Sequence, residues 1–338
     1  MQQDTQIFTK DFFIENMNAD SRKIINNDSF SIFFEDQLRF LDNTVKRVFH
    51  SENTFLVDIP VLTIDPAYED YSWYMTDITG SAKIISDDSD DIPGVSQYAK
   101  RYNNVARTLA SHFKLSLSEI QAIQKFGGRL ATSGLEACLM MNMNKMNKIV
   151  YLGSVEGGNL TRGWLNYAGD GTNQTVATAD VAGASTAAKK WANKTGALIL
   201  DDLHEAINAV QLRTSAHTLF TPNRILLPLA QYQLLKTKRL LDTQVTTVFD
   251  EFNRLYPNIT IEARPILTGI KEVNSFVNSK DVMIVYDNNP FHFNQIMLEQ
   301  FKPTEAQAVN LSLKTICSSK HAGVAMYYPE SQVFRTGI

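Results

Sequence analysis

The chain has 338 residues, 44% of them hydrophobic and 20% charged, with a formal net charge of −4. This is enough apolar material for one large domain or two to three small ones, while the mild negative charge excludes a protein whose main task is neutralising phosphates with a basic face. Two cysteines, Cys138 and Cys317, make no disulfide framework, and no apolar run approaches the roughly 18–20 residues of a membrane span. The expectation is therefore an intracellular chain with no membrane partner.

Residues 1–50 are polar, with apolar positions scattered as Phe12, Phe13, Ile14 and then Phe30, Ile32, Phe33. Such a segment is expected to be an extended arm ordered only by a neighbour. From Thr54 onward the period becomes two: Phe55, Val57, Ile59 and Val61 alternate, then Tyr71, Trp73 and Met75. Thr79-Gly80, the acidic run Asp87–Asp91 and Pro93-Gly94 then interrupt the pattern, which predicts a long two-stranded excursion within residues 51–104. A bare hairpin of that length is marginal in water, so a second surface must cover it.

Val105–Leu115 is expected to return to the body as a strand. Ser116–Met146 then changes to helical spacing, with Ser116 or Ser118 as the cap and Ile120, Ile123, Gly127, Leu130, Gly134, Cys138 (or Ala137) and Met141 on one face. At 1.5 Å per residue this is a spine of about 45 Å. Gly127, Gly128 and Gly134 cost helix stability and point to close backbone packing rather than a phosphate loop, because no strand precedes them and no Walker Lys follows.

Ile149–Leu152 is predicted as a short strand, followed by the element Gly163-Trp164-Leu165-Asn166. Thr186–Lys194 and Asp201–Leu212 are predicted helices, the second capped by Asp201 or Asp202 with Glu205 as box partner. Arg224–Leu227 is a strand and Pro228 opens a helix at its first position through Leu235. A helix over Asp242–Leu255 and a strand over Ile259–Ile266 follow. Strands at Asp281–Tyr286, Ala308–Ile316 and Gly323–Tyr328, the last two separated by a turn at Ser318-Ser319-Lys320-His321, are expected to close the chain as one antiparallel sheet.

Motifs for chemistry are sparse. The six histidines match no zinc-protease spacing, and neither a nucleophile elbow nor a dinucleotide or Walker loop occurs. Asp201, Asp202, His204 and Glu205 form the densest polar group, but acidic residues in a helix's first turn are what the macrodipole favours. The run Asp87–Asp91 lacks the spacing of a calcium loop. Cys138 on the helix's apolar face and Cys317 at a strand end lack the exposed electropositive setting of a nucleophile. No catalytic, cofactor-binding or metal residues are assigned, and no cofactor is expected. Tyr71, Trp73, Tyr74, Tyr98 and Tyr102, beside Lys100, Arg101 and Arg107, fit either nucleic-acid stacking or a subunit interface. The interface reading is preferred, making Tyr71, Trp73, Tyr74, Tyr98, Arg101 and Tyr102 the candidate inter-subunit contacts.

An arm, a long hairpin, a spine helix, a mixed α/β segment and a terminal sheet, in that order, resemble the major capsid proteins of tailed bacteriophages, whose Hong Kong-type fold encapsulins share. Gly163-Trp164-Leu165-Asn166 resembles that family's element before the axial segment. Asp201–Leu212, Thr221-Pro222-Asn223-Arg224-Ile225-Leu226-Leu227-Pro228 and Tyr232–Leu235 resemble its helix, strand and Pro-initiated helix. Ser312–Cys317, Gly323–Tyr328, Pro329 and Gly337 resemble its closing strands.

The resemblance implies an α+β phage major capsid fold. Its parts would be an N-terminal arm (1–50), an extended loop (51–104), a peripheral domain (105–180) with the spine at 116–146, an axial domain (181–275) and peripheral closing strands (276–338). It also implies self-assembly through hexamers and pentamers into an icosahedral head around double-stranded DNA bound non-specifically, in a virion assembled in the host bacterial cytoplasm. Portal, scaffolding or decoration proteins are allowed as partners. Two rivals differ in class: an encapsulin-like nanocompartment shell, and a soluble α/β enzyme built around Asp201, Asp202 and His204. Lys83 and Lys100 lie in the hairpin, but no covalent cross-link is predicted.

Overall fold

The computed structural model describes residues 53–84, 92–126, 130–155, 161–168, 174–176, 190–212, 220–240, 245–270, 277 and 279–338. The expected arm over residues 1–50, the acidic run Asp87–Asp91 and the pair Gly127-Gly128 lie outside the described residues. Among the described residues, no helix is long and apolar enough to cross a membrane.

The first described element is a single helical turn, α1 (Phe55–Asp58), followed by strand β1 (Val61–Thr63). The expected alternation from Phe55 to Val61 is thus corrected. Phe55, Asp58 and Ile59 are the buried positions while Leu56 and Val57 are exposed, a spacing of three and four that only a helical turn satisfies. Strands β2 (Asp70–Gly80) and β3 (Val95–Val105) form an antiparallel hairpin in unbroken register from Asp70 opposite Val105 to Gly80 opposite Val95. Strand β4 (Arg107–Ser116) follows, then helices α2 (Leu117–Phe126) and α3 (Leu130–Leu152). At the start of α2 the Ser116 hydroxyl accepts from the Glu119 amide at 3.4 Å, and Glu119 Oε2 accepts from the Ser116 amide at 2.8 Å. This is the reciprocal cap that Ser116 suggested.

Helix α3 runs through Leu152, so the strand expected at Ile149–Leu152 is the last turn of the spine. Its buried stripe is Cys138, Asn142, Met146 and Ile149-Val150, whereas Met141, expected on that face, is exposed. Gly153 ends the helix at φ +76°, and its amide donates to the Ile149 carbonyl at 2.8 Å. Gly163 packs against it so closely that an added Cβ would lie 2.2 Å from the Gly153 nitrogen, which leaves room only for glycine.

Beyond a short 3-10 turn at Trp164–Tyr167 come β5 (Gln174–Val176), α4 (Gly196–Leu212), β6 (Arg224–Leu227), α5 (Leu229–Thr237), α6 (Val248–Leu255) and β7 (Thr260–Ala263). Pro228 flanks α5 rather than occupying its first position, and the strand expected to reach Ile266 gives way to a 3-10 turn at Pro265–Leu267. The chain ends with β8 (Val282–Tyr286), β9 (Phe293–Pro303), β10 (Gln307–Ala308), β11 (Ser312–Met326) and β12 (Gln332–Thr336).

These last strands do not make one sheet. β9, β10 and β11 join β1 and β4, with β1 parallel to β9 and the other pairs antiparallel, whereas β8 and β12 join β5, β6 and β7 in the order β5-β12-β8-β6-β7. Nor is there a turn at Ser318–His321, because β11 continues through it, pairing with β4 on one side and β9 on the other. β9 and β12 are unanticipated elements.

The second sheet is buried on both faces, which explains its continuous apolar runs, Ile225-Leu226-Leu227 and Val282–Tyr286. Leu226, Ile284, Tyr286 and Phe334 face a core shared with the spine residues Met146, Val150 and Tyr151 and with Trp164 and Phe293. Ile225, Leu227, Met283, Val285 and Val333 face the opposite way, onto Ile199, Leu203 and Ile207 of α4, Leu235 of α5 and Phe252 of α6.

Candidate functional site

The hairpin has two halves with opposite environments. At its root, Trp73 is 6% exposed and packs on Ile296, Leu298, Ala322 and Ala325 of β9 and β11. Its indole Nε1 donates to the Met326 carbonyl at 3.1 Å. Tyr71 and Tyr102 stack on either side, with ring centroids 5.9 and 5.7 Å from Trp73, and the Tyr71 and Tyr327 hydroxyls are 2.9 Å apart. Burial, with the Tyr327 bond adding to it, pushes the Tyr71 phenol well above its ordinary range. Asn104, buried opposite Tyr71, donates to the Val324 carbonyl at 2.7 Å. The root is thus fixed to the subunit's own first sheet.

The outer half has no such cover from the described residues. Cross-strand register places Tyr74, Ile78 and Val95 on one face, with Arg101 opposite Tyr74, and Tyr98 on the other face opposite Asp77. Tyr74, Ile78, Val95 and Tyr98 are 67, 67, 68 and 65% exposed. Of the six candidates, then, Tyr71, Trp73 and Tyr102 gather within the subunit. Trp73 is already covered by its own chain, while Tyr74, Tyr98 and Arg101 face outward. Ile78 and Val95 belong with the outward set. Sequence reasoning weighted the aromatics and passed over both, although each sits in period two with Tyr74 or its partner strand.

Behind the root lies a buried charged junction. Asp58, fully buried, receives Arg264 in fork geometry, Nε to Oδ2 and Nη2 to Oδ1 both at 2.6 Å, and the Tyr151 hydroxyl also donates to Oδ2. Arg264 Nη2 also bonds Glu262, and Tyr286 donates its hydroxyl to the Asp58 carbonyl at 2.9 Å. Burial, then the Asp58 carboxylate, hold the Tyr151 and Tyr286 phenols far above their ordinary value, so both remain protonated donors. This junction ties the segment before the hairpin to the spine and to the second sheet. Such buried pairing fixes geometry more than it adds stability.

Within the acidic group singled out on the sequence, Asp202 and Glu205 have structural partners. Helix α4 begins at Gly196, so Asp201 and Asp202 lie inside it and cap nothing. Asp202 is buried and receives Lys194 Nζ at 2.7 Å and Trp191 Nε1 at 2.8 Å. Glu205 bonds the buried Arg335 of β12 at 3.1 Å, and His204 lies edge-on to Tyr256. Among the described residues, no three His, Cys, Asp or Glu side chains converge as a metal site. Asp202 and Glu205 thus hold α4 to its surroundings, whereas Asp201 is exposed.

The described residues close two cores within the chain and leave the outer half of the hairpin exposed. A family model described as Major capsid protein matches residues 80–338, and the chain belongs to that family. It is a structural capsid shell protein, and its place is the virion.

Solved structures agree on the fold. The capsid of Myoviridae phage XM1 superposes with a TM-score of 0.72 at 15% identity, over 90% of this chain and 98% of that one. The structure from Microbacterium phage Oxtober96 gives 0.58 at 13%, over 95% and 98%. The capsid of a native GTA particle gives 0.57 at 10%, over 88% and 94%. No curated protein sequence matches the chain.

Proposed function

We propose that the subunit assembles, through hexamers and pentamers, into the icosahedral head of a phage around double-stranded DNA, with the outer half of the hairpin lying on a neighbouring subunit. The observation that carries this is the exposure of Tyr74, Ile78, Val95 and Tyr98 on a two-stranded ribbon, which no monomer gains by displaying. Tyr74, Tyr98 and Arg101 are then inter-subunit contacts, with aromatic and Arg side chains as the customary anchors. Head-to-tail contacts that close into rings tile a shell.

Within the subunit, the spine with the β4-β11-β9 sheet forms the peripheral part and the second sheet with α4, α5 and α6 the axial part. Residues 276–338 then serve both rather than the peripheral part alone. The role requires no catalysis or cofactor, and assembly takes place in the host cytoplasm with portal, scaffolding or decoration proteins as further partners. A net charge of −4 suits an inner surface that encloses DNA without gripping it, since each fixed phosphate contact would slow the duplex. Among the described residues, no feature favours the nanocompartment alternative.

The test is the triple variant Tyr74→Ser, Ile78→Ser, Tyr98→Ser, followed by sedimentation and electron microscopy. The expected result is folded subunits that no longer form shells, and shells formed at wild-type yield would overturn the reading.

A further inference from the structure

Cys138 and Cys317 are the chain's two cysteines, both are buried, and neither is in a disulfide. Cys138 lies on the stripe of α3 that covers the first sheet. Cys317 lies not at a strand end, as its sequence position suggested, but within β11, paired with Ser111 of β4 and Pro303 of β9. The Cys138 side chain is near enough to Cys317 to perturb its thiol.

This meeting belongs to a register between helix and strand. One turn further along α3, Asn142 Oδ1 accepts from the buried Ser319 hydroxyl at 2.9 Å. One turn earlier, Gly134 closes on the ring of Phe113, the β4 partner of Thr315, so tightly that a Cβ would lie 2.7 Å from it. Four helical residues advance about 6.0 Å and two strand residues about 6.6–6.8 Å. Position 134 thus sits over the 113/315 pair, 138 over 317 and 142 over 319. The cysteines are the middle rung, held between two fixed contacts.

We propose that Cys138 and Cys317 form a redox-convertible pair, which a small oxidant such as dioxygen or a peroxide closes into a disulfide that fastens the spine helix to the sheet within one subunit. In that step two S–H bonds break and one S–S bond forms. The two electrons and two protons pass to dioxygen, giving hydrogen peroxide, or to a peroxide, giving water or an alcohol and water. Burial pushes the Cys317 thiol up, and the neighbouring Cys138 adds to this, so little thiolate exists at neutral pH and the conversion is slow there and faster at alkaline pH. Burial excludes bulky disulfides, so a mixed disulfide with glutathione is not expected. In the reducing cytosol the pair stays as thiols, and an oxidising exterior favours the link.

The test uses the full chain, as subunits or shells, incubated at alkaline pH with copper-catalysed dioxygen or with dithiothreitol, then denatured, alkylated and digested for mass spectrometry. The expected result is one intrachain peptide pair joining Cys138 to Cys317, loss of both titratable thiols and a higher thermal transition than in the reduced sample. Thiols that survive oxidation, sulfinic or sulfonic forms in place of the link, or cysteine-linked dimers would each overturn the proposal. Cys138→Ala should abolish the oxidation-dependent shift in thermal transition. Should that variant fail to fold, Cys317→Val serves the same comparison, and the wild-type peptide map decides by itself.

Discussion

The second sheet and the hairpin are both built from β-strands, yet they handle their side chains in opposite ways. Val282–Tyr286 buries all five of its residues, alternately toward the spine and toward α4, α5 and α6. The outer hairpin alternates in the same way, but both of its faces carry exposed apolar groups, Tyr74 and Ile78 on one and Tyr98 on the other. One region closes its cores within the chain, while the other is left open by the described residues and, in the proposed function, closes against a second molecule. Stability and assembly are therefore separable: damage to the first should unfold the subunit, and damage to the second should leave it folded and solitary.

The largest losses are expected at the charged junction and at the hairpin root. Asp58→Ala removes the fork partner of Arg264 and the acceptor of the Tyr151 hydroxyl, leaving the guanidinium with Glu262 and the Ala263 carbonyl, and should lower subunit stability by about 3 kcal/mol, measurable as a shift of the urea midpoint. Trp73→Ala removes the anchor of the root and should cost about 3 kcal/mol. Because that cost is local, amide hydrogen exchange should accelerate in β2 and β3 more than in β8.

A pH effect of similar size centres on His321. It is fully buried, its Nδ1 accepts from the Gly323 amide at 2.8 Å, and burial pushes its pKa down to about 4. Unfolded, the same imidazole titrates near 6.5, so between about 6.5 and about 4 the unfolded chain binds the extra proton. Stability present above pH about 6.5 is then lost as pH falls to about 4, by up to about 3 kcal/mol. His292, also lowered by burial, adds in the same direction. His321→Asn keeps an acceptor for Gly323 without titrating and should flatten much of this slope in denaturation series run against pH.

The smallest effect on stability is expected where the effect on assembly is greatest. Tyr98→Ser and Arg101→Ala change exposed side chains and should each move the subunit's urea midpoint by no more than about 0.5 kcal/mol equivalent, while reducing shell yield. A large loss of stability from either would erase the contrast between the two regions.

Much of this contrast was legible from the order of residues. The hairpin announced itself through the alternation of Tyr71, Trp73 and Met75 and through Gly80 and Pro93-Gly94 at its turn side, and the spine through its three- and four-residue spacing. What escaped was whatever depended on partners far along the chain. Ser318-Ser319-Lys320-His321 has the polarity of a turn but lies in β11. Ser319 bonds Asn142, Lys320 donates to the carbonyls of Pro66 and Tyr68, and His321 accepts from Gly323. Asp202 resembled a cap until Lys194 and Trp191 proved to hold it. Asp58 lay in an alternating apolar run and gave no sign of Arg264. Which of the six hairpin candidates turn outward was not legible either, because period two sets the faces but not where the subunit's own cover ends.

Electron cryo-microscopy of the assembled recombinant protein tests the central claim most directly. The account predicts closed shells in which Tyr74, Ile78 and Tyr98 of each subunit are covered by an adjacent one. Shells in which those side chains still face solvent would contradict it.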